Sequence, residues 1–388
     1  MKNIGVYVHI PFCKQKCYYC DFISYANKEN IIEKYVNTVI KEIKDVANSN
    51  KQDYENKKDD LLNINTIYIG GGTPSFIDSK YIVKILETLK EEFEISKDIE
   101  ITLEVNPGTV NEEKLKDYIS IGVTRLSIGL QSTNNNLLKE IGRIHTYEDF
   151  LNTYKLARKV GFKNINADLI IGLPNQTIND AEMSVSKLVE LELEHISVYS
   201  LILEEGTKLE ELIRSGKLEL PEDEEERRMY WRVKEILEKN EYIHYEISNF
   251  AKKGYESKHN LDCWSQKEYI GFGAAAHSYT NGIRYSNIEN MEDYIKNYET
   301  GEVAENFVFH EKQTHNMKVK EYMMLGLRKL KGISIQEFKE KFAANPIYAF
   351  KNELEKLVNE NLLEIDGDYI KLTKKGLDLA NLVWEEFV

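Results

Sequence analysis

The chain has 388 residues, 42% of them hydrophobic and 30% charged, with a net charge of −14 at pH 7. That balance suits a large globular domain with a smaller companion, and the acidic excess argues against a phosphate-binding surface and so against nucleic acid as a partner. No apolar run approaches the roughly 20 residues that span a bilayer, no signal-peptide layout precedes the first motif, and the four cysteines do not form a secreted disulfide framework, so a cytoplasmic protein without an integral membrane segment is expected.

Ile4–Ile10 alternates weakly and is rich in β-formers, which predicts a first strand. Pro11–Tyr25, PFCKQKCYYCDFISY, follows, with Cys13, Cys17 and Cys20 inside eight residues. Three thiolates at this spacing can hold three irons of a four-iron, four-sulfur cube and leave the fourth iron open to a ligand, whereas a four-cysteine site is closed. A structural zinc site completed by Cys263 or His9 is the competing reading. Cys263 lacks the close paired ligand of a zinc knuckle, although His259 stands four residues before it.

Ile31–Val46 has apolar residues at helical spacing, and polar Asn48–Asp60 predicts an exposed loop. Ile64–Ile69 is a second strand that runs into Gly70-Gly71-Gly72-Thr73-Pro74-Ser75. A helix over Lys80–Phe93 leads to a third strand, Ile99–Val105, which ends in Asn106-Pro107-Gly108. The strands Arg125–Gly129, Asn164–Ile170 and His195–Leu201 then alternate with helices over Glu112–Ile119, Asn134–Ile141, Tyr147–Val160 and Ile178–Leu193. Six such units predict an α/β fold with a parallel sheet, a partial (β/α)6 TIM-like barrel, whose chemistry belongs on the loops after the strand carboxyl ends. The cysteines, the glycine turn, Glu104 and Gln131 all fall there.

The acidic run Pro221–Glu226 reads as the start of a helix over Arg227–Lys239, with carboxylates that complement its dipole. Near Gly301 the repeating pattern stops. Helices over Tyr322–Leu330, Ile335–Phe342 and Ala349–Asn359, a hairpin of Leu363–Ile365 with Tyr369–Leu372, and a helix over Gly376–Glu386 follow. Residues 1–300 are expected to form the barrel domain and 301–388 a small winged-helix-like α+β domain.

Six segments carry a family resemblance: Tyr7–Cys13, Gly70–Pro74, Glu104–Gly108, Ser127–Ser132, Asp168–Pro174, and His259-Asn260 through His277-Ser278. Together they resemble the radical S-adenosylmethionine (SAM) superfamily, in the branch of oxygen-independent coproporphyrinogen III oxidase and its heme-chaperone relatives. The resemblance implies a radical SAM barrel in which Cys13, Cys17 and Cys20 hold a [4Fe-4S] cluster whose free iron chelates SAM. An electron from the cluster would then cleave SAM to methionine and a 5′-deoxyadenosyl radical. It also implies that the turn Gly71-Gly72-Thr73 receives the SAM amino group, that Glu104 meets the ribose hydroxyls, and that Arg143 faces the methionine carboxylate. Tyr7, Gln131 and Asp168 match SAM-contacting positions, and Ile202 would border the adenine.

Two departures bear on the branch. Decarboxylating members carry a further cysteine two residues after the third cluster cysteine, and Phe22 stands there. The chaperone-like motif His-Asn-x-x-Tyr-Trp appears as His259–Trp264 with Cys263 in place of the tyrosine, which makes His259 the heme-ligand candidate and Cys263 a small apolar substitution. The function implied is a SAM- and cluster-binding heme chaperone that delivers heme to apo-hemoproteins, with an electron donor such as a flavodoxin or ferredoxin. The alternative is an enzyme, radical oxidative decarboxylation of coproporphyrinogen III in porphyrin biosynthesis. Alanine at Cys13, Cys17 or Cys20 is expected to abolish the cluster absorbance and SAM cleavage, and Cys263→Ala to leave both intact; loss of the cluster in Cys263→Ala would overturn the open-iron reading.

Overall fold

A computed structural model describes residues 1–388, the Phe309 side chain apart, and places the short apolar strands in one sheet. Its parallel centre is β1 (Lys2–Ile10), β2 (Leu62–Gly71), β3 (Glu94–Val105), β4 (Arg125–Gln131), β5 (Ile165–Ile171) and β6 (His195–Ser200), each paired with the next. The helices α1 (Ile32–Glu55), α2 (Ser79–Glu92), α3 (Glu112–Ser120), α4 (Tyr147–Val160), α5 (Ile178–Glu190) and α6 (Asp223–Lys239) cover the outer face. Alternate strand residues such as Ile67, Ile69, Leu103, Leu126, Ile128 and Val198 pack against them, as the strand period of two requires.

The sheet then grows at both ends. β7 (Ile243–Glu246) and β8 (Asn249–Ala251) add antiparallel strands beside β6. After the short helix α7 (Lys258–Trp264), β9 (Tyr269–Phe272) returns to pair in parallel with β1. β10 (His277–Thr280), β11 (Ile283–Asn287) and β12 (Phe307–Lys312) follow it antiparallel. The order of the 12-stranded sheet is β12-β11-β10-β9-β1-β2-β3-β4-β5-β6-β8-β7, so β12 and β7 are its two edges and the barrel is partial.

Besides the added strands, three stretches differ from the sequence reading. The helix expected over Tyr322–Leu330 runs over His315–Gly326. α1 continues to Glu55 through residues expected to be loop, because Lys, Gln and Glu extend a helix without an apolar stripe once it passes the edge of the sheet. The last helix breaks at Leu379 into Lys374–Asp378 and Ala380–Glu385. Asp378 is drawn onto α6, where it takes the Trp231 indole N–H at 2.7 Å and pairs with Arg227 at 2.7 Å. The C-terminal segment has its own core, Val319 to Phe387, around a small antiparallel sheet of Ile333–Ser334, Tyr369–Leu372 and Leu363–Asp366.

The added strands are tied to the barrel by one buried carboxyl, Glu42 of α1. It accepts hydrogen bonds from Tyr294 Oη (2.7 Å), the Gly273 N–H (2.8 Å) and Asn287 Nδ2 (2.7 Å). Burial pushes its pKa up from 4.5 to about 7, against the pull of those bonds. A folded-state value above the unfolded one gives stability that is full below about pH 4.5 and lost as pH rises through about 7. Glu42→Gln is expected to flatten that fall, read as the urea midpoint across this pH range.

Candidate functional site

β1 ends at Ile10, and Pro11 turns the chain into a two-residue bridge in which Phe12–Cys13 pairs with Tyr25–Ala26. The glycine turn after β2 lies directly against it. The Gly72 N–H donates to Ile10 O at 2.9 Å and the Thr73 N–H to Phe12 O at 2.8 Å. A Cβ on Gly72 would stand 2.9 Å from Phe12 N, and Gly71 has φ +110°, so both positions need glycine. The far side of the cysteine loop is held by the Tyr18 N–H on Ile141 O (3.0 Å), the Leu209 N–H on Tyr18 O (2.8 Å) and Gln15 Nε2 on Gly142 O (3.1 Å).

This geometry bears on the zinc reading. Both ring nitrogens of His9 are engaged, Nε2 with Ile23 O at 2.8 Å and Nδ1 with Tyr7 Oη at 3.0 Å, so His9 clasps the returning loop. Cys263 lies on α7, outside the lining of the cavity described below, and burial pushes its thiol up to about 12. Among the described residues no three His, Cys, Asp or Glu side chains converge on a single ion. A tetrahedral zinc needs such convergence, whereas cluster cysteines each bind a different iron.

The cysteines open onto a cavity of about 510 Å³ at the carboxyl ends of the strands. All three line it, as do all the SAM- and heme-contact candidates of the sequence except Tyr7 and His259; the zinc-ligand candidates His9 and Cys263 do not. The N–H groups of Gly71, Gly72 and Thr73 are spent on Glu104, Ile10 and Phe12, so carbonyl oxygen is what this turn has left for a ligand, a suitable partner for an ammonium group. Glu104 at the end of β3 accepts from Tyr68 Oη (2.9 Å) and the Gly71 N–H (3.1 Å). Burial, with the charge of Asp168, pushes the Glu104 carboxyl up to about 7. Asp168 on β5 accepts from Asn166 Nδ2 at 2.8 Å and Ser127 Oγ at 3.3 Å, and burial raises its pKa too. Gln131 ends β4 with φ 74°, a left-handed turn that swings the strand end at the cavity.

Arg143 is the cation of this site. Its Nη2 donates to Asn106 Oδ1 (2.8 Å) and the Gly129 carbonyl, its Nη1 approaches Cys17 Sγ at 3.5 Å, and its buried Nε has no partner. An unpaired guanidinium N–H beside the Cys17 thiol fits a carboxylate ligand. Ile202, 69% exposed, stands at the mouth with Phe22, which is 63% exposed.

Tyr7 meets His9 and stacks on Tyr68 with centroids 6.3 Å apart, one layer away from the cavity lining. His259 is 8% exposed within the partial barrel. Its Nδ1 shares a hydrogen bond with Thr66 Oγ1 at 2.9 Å, its backbone N–H donates to Glu100 at 3.1 Å, and burial lowers its pKa to about 4. Only its neighbour Asn260 reaches the cavity. Sequence reasoning missed Tyr68, Asn106, Ser127 and Asn166, which position the named residues. Their signal is a polar residue at every second place in strands otherwise apolar, with Thr66 and Tyr68, Asn166 and Asp168, His195 and Ser197 as the pairs.

The model of the radical SAM superfamily matches residues 7–188, and that of the HemN C-terminal domain matches 313–379. The chain is 38% identical to a heme chaperone HemW of Lactococcus lactis, over 100% of this chain and 98% of that one. It is 37% identical to a heme chaperone HemW of Bacillus subtilis, over 99% of each. The fold is that of coproporphyrinogen III oxidase (HemN) of Escherichia coli, a radical SAM enzyme, at TM-score 0.84 and 21% identity over 100% of this chain and 90% of that one. Removal of the His259 ring leaves Thr66 Oγ1 without its buried partner, so His259→Ala is expected to cost about 2 kcal/mol in chemical denaturation.

Proposed function

The chain belongs to the radical SAM proteins of the heme chaperone HemW family, and we propose that it binds heme and passes it to apo-hemoproteins while holding a [4Fe-4S] cluster and SAM. The observation that carries this reading is the meeting of the three-cysteine loop, the Gly71–Thr73 turn and the unpaired Nε of Arg143 in one cavity. Cys13, Cys17 and Cys20 would hold three irons. The turn carbonyls would take the SAM ammonium group, Arg143 its carboxylate and Glu104 its ribose hydroxyls, with Gln131 and Asp168 beside them and Ile202 at the adenine edge. When bound, cluster and SAM supply one-electron reductive cleavage of the sulfonium. The protein's part is to bind, orient and exclude water. A small redox carrier, a flavodoxin or ferredoxin, would supply the electron.

Phe22 supports the chaperone over the decarboxylase, since the mouth of the cavity presents an exposed ring where decarboxylating relatives are expected to carry a thiol. No helix among the described residues is long and apolar enough to cross a membrane. The proposal does not use His259 as a heme ligand, because its ring is held within the barrel against Thr66. The test is anaerobic reconstitution of the cluster, then heme titration followed by spectrum and coproporphyrinogen III incubation followed by product analysis. Stoichiometric heme uptake without protoporphyrinogen is expected, and uptake persists in folded His259→Ala. Protoporphyrinogen formed together with SAM cleavage would make the protein a biosynthetic enzyme.

A further inference from the structure

The cysteine loop has two sides. Its inner side lines the ligand cavity, and its outer side borders a small groove at the surface. Gln15, Cys17, Thr73, Asn106 and Arg143 line both, so the partition is one side chain thick. Hydrogen bonds hold it. Asn106 Nδ2 donates to Thr73 Oγ1 at 2.8 Å, Arg143 Nη2 donates to Asn106 Oδ1 at 2.8 Å, and Arg143 Nη1 reaches Cys17 Sγ at 3.5 Å. Cys17 is thus the cluster-ligand candidate that meets the groove, whereas Cys13 and Cys20 line the cavity side.

The groove differs in charge from the chain that carries it. Its lining holds two cations, Lys14 and Arg143, and no carboxylate, on a chain with a net charge of −14. The loop from Cys13 to Cys20 likewise has Lys14 and Lys16 and no acid. The nearest acids in the chain, Glu148 and Asp149, stand outside the lining, where Glu148 accepts from Asn135 Nδ2 at 3.1 Å and Asp149 caps its own helix on the Thr146 N–H at 2.8 Å. Lys14 is exposed at the rim, and beside it Ile144 is 54% exposed. An exposed apolar side chain within a ring of one charge suits a partner of the opposite charge.

We propose that this groove is the docking face for a small acidic one-electron carrier protein, with Lys14 and Ile144 as its contacts and Cys17 as the point of entry. The inference rests on the reading of the cysteine loop as the cluster site. One electron leaves the reduced carrier and enters the cluster through the Cys17 sulfur, and no proton or atom moves with it. The carrier is oxidised and the cluster reduced by that electron. Docking on the outer side leaves the cavity and its mouth free, so carrier and cavity ligand are bound at the same time.

The test is the anaerobic rate of cluster bleaching, followed by absorbance, with a reduced flavodoxin and a reduced [2Fe-2S] ferredoxin as donors. Photoreduced 5-deazariboflavin, small and uncharged, serves as the reference donor. Lys14→Glu is expected to slow both carriers about fivefold at about 20 mM salt and hardly at about 500 mM, where screening is nearly complete. Ile144→Ser slows them at every salt concentration. Lys351→Glu, the same charge change on the C-terminal segment, leaves the rates unchanged, and deazaflavin reduces all four proteins equally. A loss in Lys351→Glu equal to that in Lys14→Glu, a loss shared with deazaflavin, or an undiminished rate in either groove variant overturns the proposal. Carbodiimide cross-linking of the wild type is expected to join Lys14 to a carrier carboxylate, and cross-links confined to other lysines overturn it too. Protein whose cluster is reduced by deazaflavin and by neither carrier overturns this inference and leaves the reading of the cavity standing. Protein that forms no cluster overturns both.

Discussion

The site depends on how closely two backbones approach. The turn after β2 lies against the first residues of the cysteine loop, with the Gly72 and Thr73 N–H groups on Ile10 and Phe12 and no room for a Cβ at Gly72. The contact fixes where Cys13 leaves the sheet relative to the carbonyls that face a ligand. The loop's other attachments, at Ile141, Gly142 and Leu209, come from parts of the chain far apart in sequence. Three thiols are thereby presented by a frame that the folded sheet supplies before any iron arrives, which reduces the ordering that ligand binding must pay for.

The interior of the barrel is polar, and this has consequences for stability as well as function. Asn166 links Ser127, Asp168 and His195, and His195 in turn meets Tyr245 at 2.8 Å. A network of this kind costs desolvation and contributes orientation. The apolar side of the same strands, packed on the helices, offsets the cost. The strands thus have two buried faces of opposite character, one for stability and one to hold charge beneath a ligand.

The His259–Trp264 helix sits between this interior and the C-terminal segment. At one end His259 is bonded to Thr66 and Glu100. At the other, Arg328 stacks between Trp264, 4.8 Å away, and Trp384, 4.0 Å away, while Lys329 Nζ donates to Ser265 Oγ at 3.0 Å. The helix thus has contacts on both sides, with the barrel strands and with the C-terminal segment. Cys263, with a thiol that burial keeps protonated, is accommodated there as a small apolar residue.

The six parallel strands, most of their helices, the cysteine loop and the strand-end residues were legible in the sequence by itself, because short apolar runs, amphipathic periods and glycine turns are local signals. The cysteine spacing by itself left a cluster and a zinc site open, and the SAM chemistry was implied only by the family resemblance of six segments taken together. The strands after Tyr269 were not legible: β9 to β12 are short and carry polar residues, and their place follows from pairing with β1 and from the distant carboxyl of Glu42. Nor was the standing of His259 and Arg125. A histidine in a heme-associated motif and an arginine at the start of a strand look alike whether they face solvent, a ligand or a barrel interior. Only the curvature of the sheet, which brings Thr66 and His259, 193 positions apart, into one lumen, decided that both are buried.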